Sequence, residues 1–273
     1  MPARLLVIGL DAMDPTVVGD SMRSGALPAL AELAAGATEL HLANSMTTLP
    51  GTIWPLINTG RSAESLALFH HPSQLHTGES VPRPVATTEI DPMWDWWHVA
   101  EAAGRRALVV DVPQTVPREG ARGVQICDWA THDRPWAPVA QPSDALAEAE
   151  ALVGADPIGD CDARVRGRTA AAYEELRGDL VARVRSRTDL VEALMARETW
   201  DVAHVVYAET HCVGHHFWGF RDPASAPYVA AGSDTLRHAV DEVYAEVDRG
   251  IGRLLTAAGP EADVMVIASH GMA

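Results

Sequence analysis

The stretch Val205–His216 reads VVYAETHCVGHH and decides the class of fold. A second stretch, Val264–Gly271, reads VMVIASHG and has the same plan, an apolar run of strand length that ends in polar residues. In an open α/β sheet, ligands bind beyond the carboxyl ends of the strands. The histidines that follow these two runs are therefore candidates for a functional site.

Apolar runs of strand length alternate with stretches of helical periodicity along the whole chain. The predicted strands are Leu5–Leu10, Ala107–Val112, Val124–Cys127, Val202–Tyr207 and Val264–Ala268. The predicted helices are Leu27–Ala35, Trp94–Ala103, Ala145–Val153, Arg168–Arg197 and Asp234–Ala258. This order predicts an α/β fold with a mainly parallel central sheet and helices on both faces.

The length of 273 residues suits one large α/β domain, so we expect residues 1–273 to form a single domain. Two stretches rich in Pro, Ser, Thr and His, 72–92 and 133–143, lack periodicity and are predicted loops. A helical cap is expected as an insertion around 133–197.

Acidic residues outnumber basic ones by 37 to 21, and every basic residue is arginine. The net charge of −16 argues against binding to nucleic acid or to an anionic membrane. We find no signal peptide and no apolar stretch that would cross a bilayer. Three widely spaced cysteines are not a disulfide framework, so we expect a cytoplasmic protein.

Two histidines in the first stretch have the spacing of a metal-chelating pair. His211 and His215 are four residues apart, which places both imidazoles on one face if a helix begins there. Asp11 follows the first predicted strand and would face the same edge of the sheet. The competing interpretation is that Asp11 only caps the next helix.

A hydroxyl-rich segment, Ser45–Arg61, contains Pro50 and Gly51 before an apolar run and is predicted to be a loop that enters a helix. A threonine there would lie near a positive helix N-terminus, a setting that suits a nucleophile for attack on phosphorus. Threonine is also an ordinary N-cap residue, so this motif is weak when taken alone.

Taken in order, these segments resemble the alkaline phosphatase superfamily, in particular its type I phosphodiesterase and nucleotide pyrophosphatase branch. The similar segments are Gly9-Leu10-Asp11, Trp54 to Gly60, Trp94 to Pro113, Glu209 to His215 and Ser269-His270-Gly271-Met272. The resemblance implies an alkaline-phosphatase-like fold. It also implies a two-metal site, usually of zinc, and a Ser or Thr nucleophile that forms a covalent phospho-enzyme.

The resemblance implies that Asp11 and His270 bind one metal and that His211 and His215 bind the other. The sequence departs from the family pattern at both places. His211 replaces an aspartate, which zinc tolerates, whereas Ser269 replaces a second aspartate with a poor ligand. One or two zinc ions are therefore expected, and manganese is the alternative.

The position of the nucleophile is ambiguous. The usual family spacing from Thr59-Gly60 leads to Pro50, which cannot attack. Thr52 is favoured because it follows Pro50-Gly51 at the expected helix entry, where backbone N–H groups can hold an anion. Thr48 stays open because Thr48-Leu49-Pro50 keeps the hydroxyl-x-Pro pattern of the family.

The sequence ends at Ala273, whereas the family carries a further metal-binding histidine beyond this point. A shortened chain, a second polypeptide or homo-oligomer partner, and histidines such as His70 or His71 are the open explanations. The resulting hypothesis is a metal-dependent hydrolase of small phosphorylated or nucleotide-like esters. Two alternatives are a non-hydrolytic metal- or nucleotide-binding member of the superfamily and a structural α/β protein.

Overall fold

A computed structural model describes residues 4–42, 52–66, 68–70, 73–76, 79–81, 95–132, 134, 136–159, 161, 168–225, 229 and 232–271, with only the backbone described for 68–81. Thr48, His71 and Trp94, three residues singled out above, lie outside the described residues, and of His70 only the backbone is described.

Two sheets are present in the described part. The main sheet has six strands in the order β7-β6-β5-β8-β1-β9, and β2, β3 and β4 form a small antiparallel sheet. All neighbours in the main sheet are parallel except β6 and β7. The strands are β1 (Leu5–Leu10), β2 (Leu68–His70), β3 (Ser73–His76), β4 (Glu79–Val81), β5 (Ala107–Val110), β6 (Val124–Cys127), β7 (Val139–Gln141), β8 (Val202–Tyr207) and β9 (Asp263–Ala268).

The helices pack around the main sheet. They are α1 (Pro15–Ser24), α2 (Pro28–Gly36), α3 (Ile53–Thr59), α4 (Ala63–Leu66), α5 (Trp96–Ala102), α6 (Ala145–Val153), α7 (Ala170–Arg197), α8 (Glu209–Arg221), α9 (Asp234–Arg237) and α10 (Ala239–Ala258). The long helices α7 and α10 pack against each other and against α8. None of the helices in the described part is both long and apolar enough to span a bilayer.

The central strand β8 explains why the sheet is covered on both faces. All six of its residues are buried, as expected for a parallel strand with helices on either side. Ala203, Val205 and Tyr207 face the larger core, which contains α7, α8 and α10. Val202 and Val206 face a smaller core, which contains tryptophans from α3 and α5. The predicted α/β architecture is confirmed.

Local signals fix the start of α1. Asp14 caps this helix, because its Oδ1 accepts hydrogen bonds from the backbone N–H groups of Thr16 and Val17, both at 3.0 Å. Pro15 occupies the first helical turn. Since Asp14 does the capping, Asp11 is not the N-cap of this helix, and its side chain is available to the site.

Two predicted loops contain strands. β3 and β4 lie within 72–92, and β7 lies within 133–143. These strands are only three or four residues long and their segments lack an apolar run, so periodicity did not predict them. The stretch 133–197 supplies β7 to the main sheet and α7 to the helix layer, and the helical cap expected within it stays a prediction.

Candidate metal and active centre

Three predicted site residues form a continuous chain of contacts. The Nδ1 atom of His211 lies 2.8 Å from Oδ2 of Asp11. The Nε2 atom of His211 lies 2.8 Å from Nε2 of His215. His270 lies beside them, with its ring centroid 5.6 Å from that of His211. The structure thus brings together the four residues that the sequence predicts as metal ligands.

The register of three parallel strands accounts for this convergence. Leu10 at the end of β1 is paired with Tyr207 of β8 on one side and with Ala268 of β9 on the other. The ladders continue one residue further, since the Asp11 N–H donates to the Tyr207 carbonyl at 3.1 Å and the Ser269 N–H donates to the Leu10 carbonyl at 3.2 Å. The side chains that follow all three strands therefore share one edge of the sheet.

The helix that the His211 and His215 spacing requires begins at Glu209, immediately after β8. Its start is tied to β1, because the Thr210 hydroxyl donates to the backbone carbonyls of Asp11 at 2.5 Å and of Tyr207 at 3.0 Å. The first turn of α8 is thus fixed against the end of β1, and it presents His211 to Asp11.

Two further side chains hold the Asp11 carboxylate. The Trp54 indole N–H donates to Oδ1 at 2.8 Å, and the Ser269 hydroxyl donates to the same oxygen at 3.1 Å. Ser269 Oγ also accepts the backbone N–H of Ala12 and lies 3.0 Å from His270 Nδ1. Ser269 is thus a neutral bridge between Asp11 and His270.

The electrostatics of the cluster keep Asp11 ionised and favour the neutral forms of His215 and His270. Burial alone would raise the pKa of Asp11, but the charge and hydrogen bond of His211, with the hydrogen bond of Trp54, hold this pKa well below its usual range. Burial, followed by the neighbouring His211 and His132, lowers the pKa of His215 to about 4. Burial also lowers the pKa of His270, although Asp11 opposes the shift. Neutral imidazoles are the form that binds metals.

The predicted nucleophile Thr52 is buried and directly precedes α3. Two residues later, Trp54 packs so close to β1 that a Cβ added to Gly9 would lie 2.6 Å from the Trp54 ring. Glycine at this position thus permits the close approach that brings the Trp54 N–H to Asp11. The segment that carries Thr52 is in this way anchored to the first candidate metal ligand.

His132 is a site residue that the sequence analysis missed. It follows β6, and its ring stacks on His211 with a centroid separation of 3.9 Å and on His215 at 5.1 Å. The signal that could have found it is the one used for the other segments, since β6 is a parallel strand whose carboxyl end faces the same edge.

A buried network of ion pairs and hydrogen bonds holds the turn that carries His132 and the start of α8 in place. Arg187 of α7 donates to Asp111 after β5 at 2.5 Å and to Glu209 of α8 at 2.8 Å. It also donates to the Ala130 carbonyl at 2.5 Å. Arg183, one helical turn earlier, donates to the Thr131 carbonyl at 2.9 Å. The network therefore links the turn that carries His132 to the start of α8.

The donor set fits a divalent metal ion. Ligand atoms of His132, His211 and His215 all lie within 4.8 Å of one another, and the Asp11 carboxylate contacts His211. Imidazole nitrogen and carboxylate oxygen are the ligands that zinc binds in catalytic sites. The Asp11 carboxylate supplies the negative charge that such a site requires.

Comparisons with known proteins concern the family and the fold of the chain. A family model described as "Type I phosphodiesterase / nucleotide pyrophosphatase" matches residues 5–273. No curated protein matches the chain. The fold is similar to that of phosphonoacetate hydrolase from Sinorhizobium meliloti 1021. In its complex with phosphonoformate the TM-score is 0.57 at 15% identity, and in its complex with phosphonoacetate the TM-score is 0.55 at 16% identity.

In both comparisons the match covers 99% of this chain and 57% of the phosphonoacetate hydrolase chain. The likeness therefore concerns the α/β fold described above, and this chain spans little more than half the length of its structural neighbour.

Proposed function

Since the chain belongs to the type I phosphodiesterase / nucleotide pyrophosphatase family, we propose that it hydrolyses small phosphoric esters at a divalent-metal site. The observation that supports this proposal best is the contact chain of Asp11, His211 and His215, flanked by His132 and His270 at one sheet edge. Packing alone gives no reason to gather four imidazoles around a buried carboxylate.

We assign Asp11, His211, His215 and His270 as metal ligands, with zinc as the first candidate ion and manganese as the second. His132 is a further candidate ligand, because its ligand atom lies within 4.8 Å of those of His211 and His215. A bound divalent ion would supply positive charge to the non-bridging phosphoryl oxygens and to the leaving group. That charge matters in this chain because an anionic substrate meets a protein of net charge −16.

Thr52 is the proposed nucleophile. Its hydroxyl oxygen would form a bond to phosphorus while the ester oxygen leaves, and water would then release the phosphoryl group from the threonine. The anchoring of its segment by Trp54 supports this role, because a nucleophile must be held close to the metal ligands. Thr48 keeps its place as the alternative.

The experiment is an assay of the purified chain loaded with zinc or manganese, on a chromogenic phosphodiester and on the matching phosphomonoester. We expect hydrolysis to fall about 1,000-fold or more in Thr52→Ala and in His211→Ala, and to persist in part in Thr52→Ser. Thr256→Ala is the matched control, since this threonine is exposed on α10 and its hydroxyl donates to the Gly252 carbonyl of the same helix.

Each outcome separates the hypotheses. Full activity in Thr52→Ala with loss in Thr48→Ala would transfer the role of nucleophile to Thr48. Stoichiometric metal binding without turnover of either ester would sink the hydrolase proposal and favour a non-hydrolytic binding protein.

A further inference from the structure

A second cluster of candidate ligands lies beside the histidine cluster. It consists of His132, Cys161 and Cys212, whose ligand atoms all lie within 4.8 Å of one another. We call these three residues the thiol cluster. All three are buried, with exposed fractions of 5%, 1% and 0%. They come from three separate elements: the turn after β6, the segment after α6 and the first turn of α8.

Direct contacts hold the thiol cluster together. Nδ1 of His132 lies 3.2 Å from Sγ of Cys212. The Cys161 N–H donates to the His132 carbonyl at 3.3 Å, so the backbone of one member positions another. His216, one turn further along α8, is buried, and its Nε2 has no hydrogen-bond partner among the described residues. His216 is therefore the candidate for a fourth donor.

The third cysteine of the chain shows what an ordinary buried thiol looks like in this protein. Cys127 lies 3.5 Å from the Thr115 hydroxyl and 3.4 Å from the Gln125 amide, both of which are neutral partners. Such a thiol behaves as a small apolar residue with weak hydrogen bonds. Cys161 and Cys212 instead face each other and an imidazole, which no packing requirement explains.

Two sulfurs and one or two imidazoles are the donors that zinc prefers in closed, four-coordinate structural sites. We propose that Cys161, Cys212 and His132, with His216 as the candidate fourth ligand, bind one zinc ion in a site that shares only the His132 ring with the histidine cluster of the proposed hydrolase. The ion would fasten the turn after β6 to α8. It would thereby hold the His132 ring against His211, without taking part in the reaction.

The test uses cobalt in place of zinc, because thiolate bound to cobalt(II) gives intense near-ultraviolet charge-transfer bands that nitrogen and oxygen ligands do not give. The wild-type chain, isolated and kept under reducing conditions, is titrated with cobalt. We expect these bands to appear and to be competed away by one equivalent of zinc. In Cys161→Ser and Cys212→Ser their intensity should fall by half or more, together with the loss of about one bound zinc.

Cys127→Ser is the matched control and should keep the full bands, since this thiol lies outside the cluster. Asp11→Asn should also keep them while it impairs the histidine cluster. The thiol site can therefore stand if the hydrolase proposal fails, and the reverse also holds. If the serine variants do not fold, alkylation of the wild-type chain followed by mass mapping replaces them, with zinc expected to protect Cys161 and Cys212.

Two results would overturn the proposal. One is a reduced wild-type chain that binds cobalt without charge-transfer bands. The other is a chain whose Cys161 and Cys212 are alkylated equally fast with zinc and with a chelator.

Discussion

Trp54 donates its indole N–H to Oδ1 of Asp11 at 2.8 Å, and its ring lies over Gly9, which is in the strand that ends just before Asp11. One side chain thus couples the helix that follows the candidate nucleophile to the first candidate metal ligand. The hydrogen bond is to a buried ionised group, a class that contributes more than bonds between neutral partners.

Replacing this donor should weaken the site more than the fold. In Trp54→Phe a smaller aromatic ring remains and the indole N–H is lost, so we expect a fall of about 10-fold in kcat/KM or metal affinity, equivalent to about 1.4 kcal/mol. Trp97→Phe is the control, because Trp97 is buried in the same small core and its N–H has no hydrogen-bond partner among the described residues. Equal effects of both variants on activity would show that the Trp54 hydrogen bond has no special role.

A methyl group at Gly9 should push Trp54 away from β1. In Gly9→Ala the new Cβ would meet the Trp54 ring at 2.6 Å and the Val206 side chain at 2.7 Å. We expect a loss of about 1–3 kcal/mol in the free energy of unfolding, measured by denaturant titration, together with reduced activity. Gly252→Ala is the control, since a Cβ added there would lie 3.5 Å from the Ala29 side chain, and it should be neutral or slightly stabilising.

Removing Arg187 should be among the most damaging single changes. Arg187→Met would leave the carboxylates of Asp111 and Glu209 buried without this partner, which costs about 3–5 kcal/mol. Arg197→Met removes an arginine from an exposed pair with Glu148 and should cost less than about 1 kcal/mol. A thermal melt of both variants tests the difference, and similar melting temperatures would contradict the assigned role of the network.

Asp128 should make a contribution to stability that falls as the pH rises from about 4 to about 7, whereas the buried His98, His204 and His215, whose pKa values burial lowers, contribute in the opposite direction. Burial, with a contribution from the nearby Asp111, raises the pKa of Asp128 from 3.8 to about 7, although the Thr131 hydroxyl opposes the shift. Between these values the folded chain keeps a proton that the unfolded chain has lost, so the stabilising contribution of the protonated form disappears with rising pH.

Asp128→Asn should remove this pH-dependent contribution to the free energy of unfolding. It should also stabilise the chain at pH 8, by at most about 4 kcal/mol. Asparagine also tolerates the positive φ of 56° at this position. Denaturant unfolding of both proteins at several pH values is the measurement, and parallel stability curves would rule out the raised pKa.

Restoring a carboxylate at Ser269 should increase metal affinity and weaken the metal-free fold. Ser269→Asp places a second negative charge about 3 Å from the Asp11 carboxylate, which is unfavourable until a cation binds. We expect at least about 10-fold tighter zinc binding in a competition titration. Ser269→Ala, which removes the hydroxyl without adding charge, should show no such gain, and an unchanged zinc affinity in Ser269→Asp would count against a metal at Asp11.

The correctly predicted strands and the candidate ligands that follow them share one property: a long apolar run forms the strand, and the polar residue after it lies at the edge of the sheet. Asp11, His211 and His270 were singled out in this way, and the sheet brings them together, while their role as metal ligands stays a prediction. The sequence did not predict β7, because a three-residue edge strand with one buried residue shows no hydrophobic alternation. The placement of Thr52 as nucleophile and the identity of the metal stay predictions.

The buried network below the site could not be predicted from the sequence. Arg187 is 76 residues from Asp111 and 22 residues from Glu209, and nothing local at Arg187 distinguishes it from the exposed arginines of α7. Only the packing of α7 on the sheet removes this guanidinium from water and makes its partners necessary.

His132 belongs both to the histidine cluster and to the thiol cluster, and this shared membership makes the two proposed sites a thermodynamically linked pair. If an ion in the thiol cluster changes the affinity of the histidine cluster by some factor, occupancy of the histidine cluster must change the thiol cluster by the same factor. An ion in the thiol cluster would then determine the concentration of metal at which the histidine cluster fills. The His132 ring is the contact that couples the two affinities.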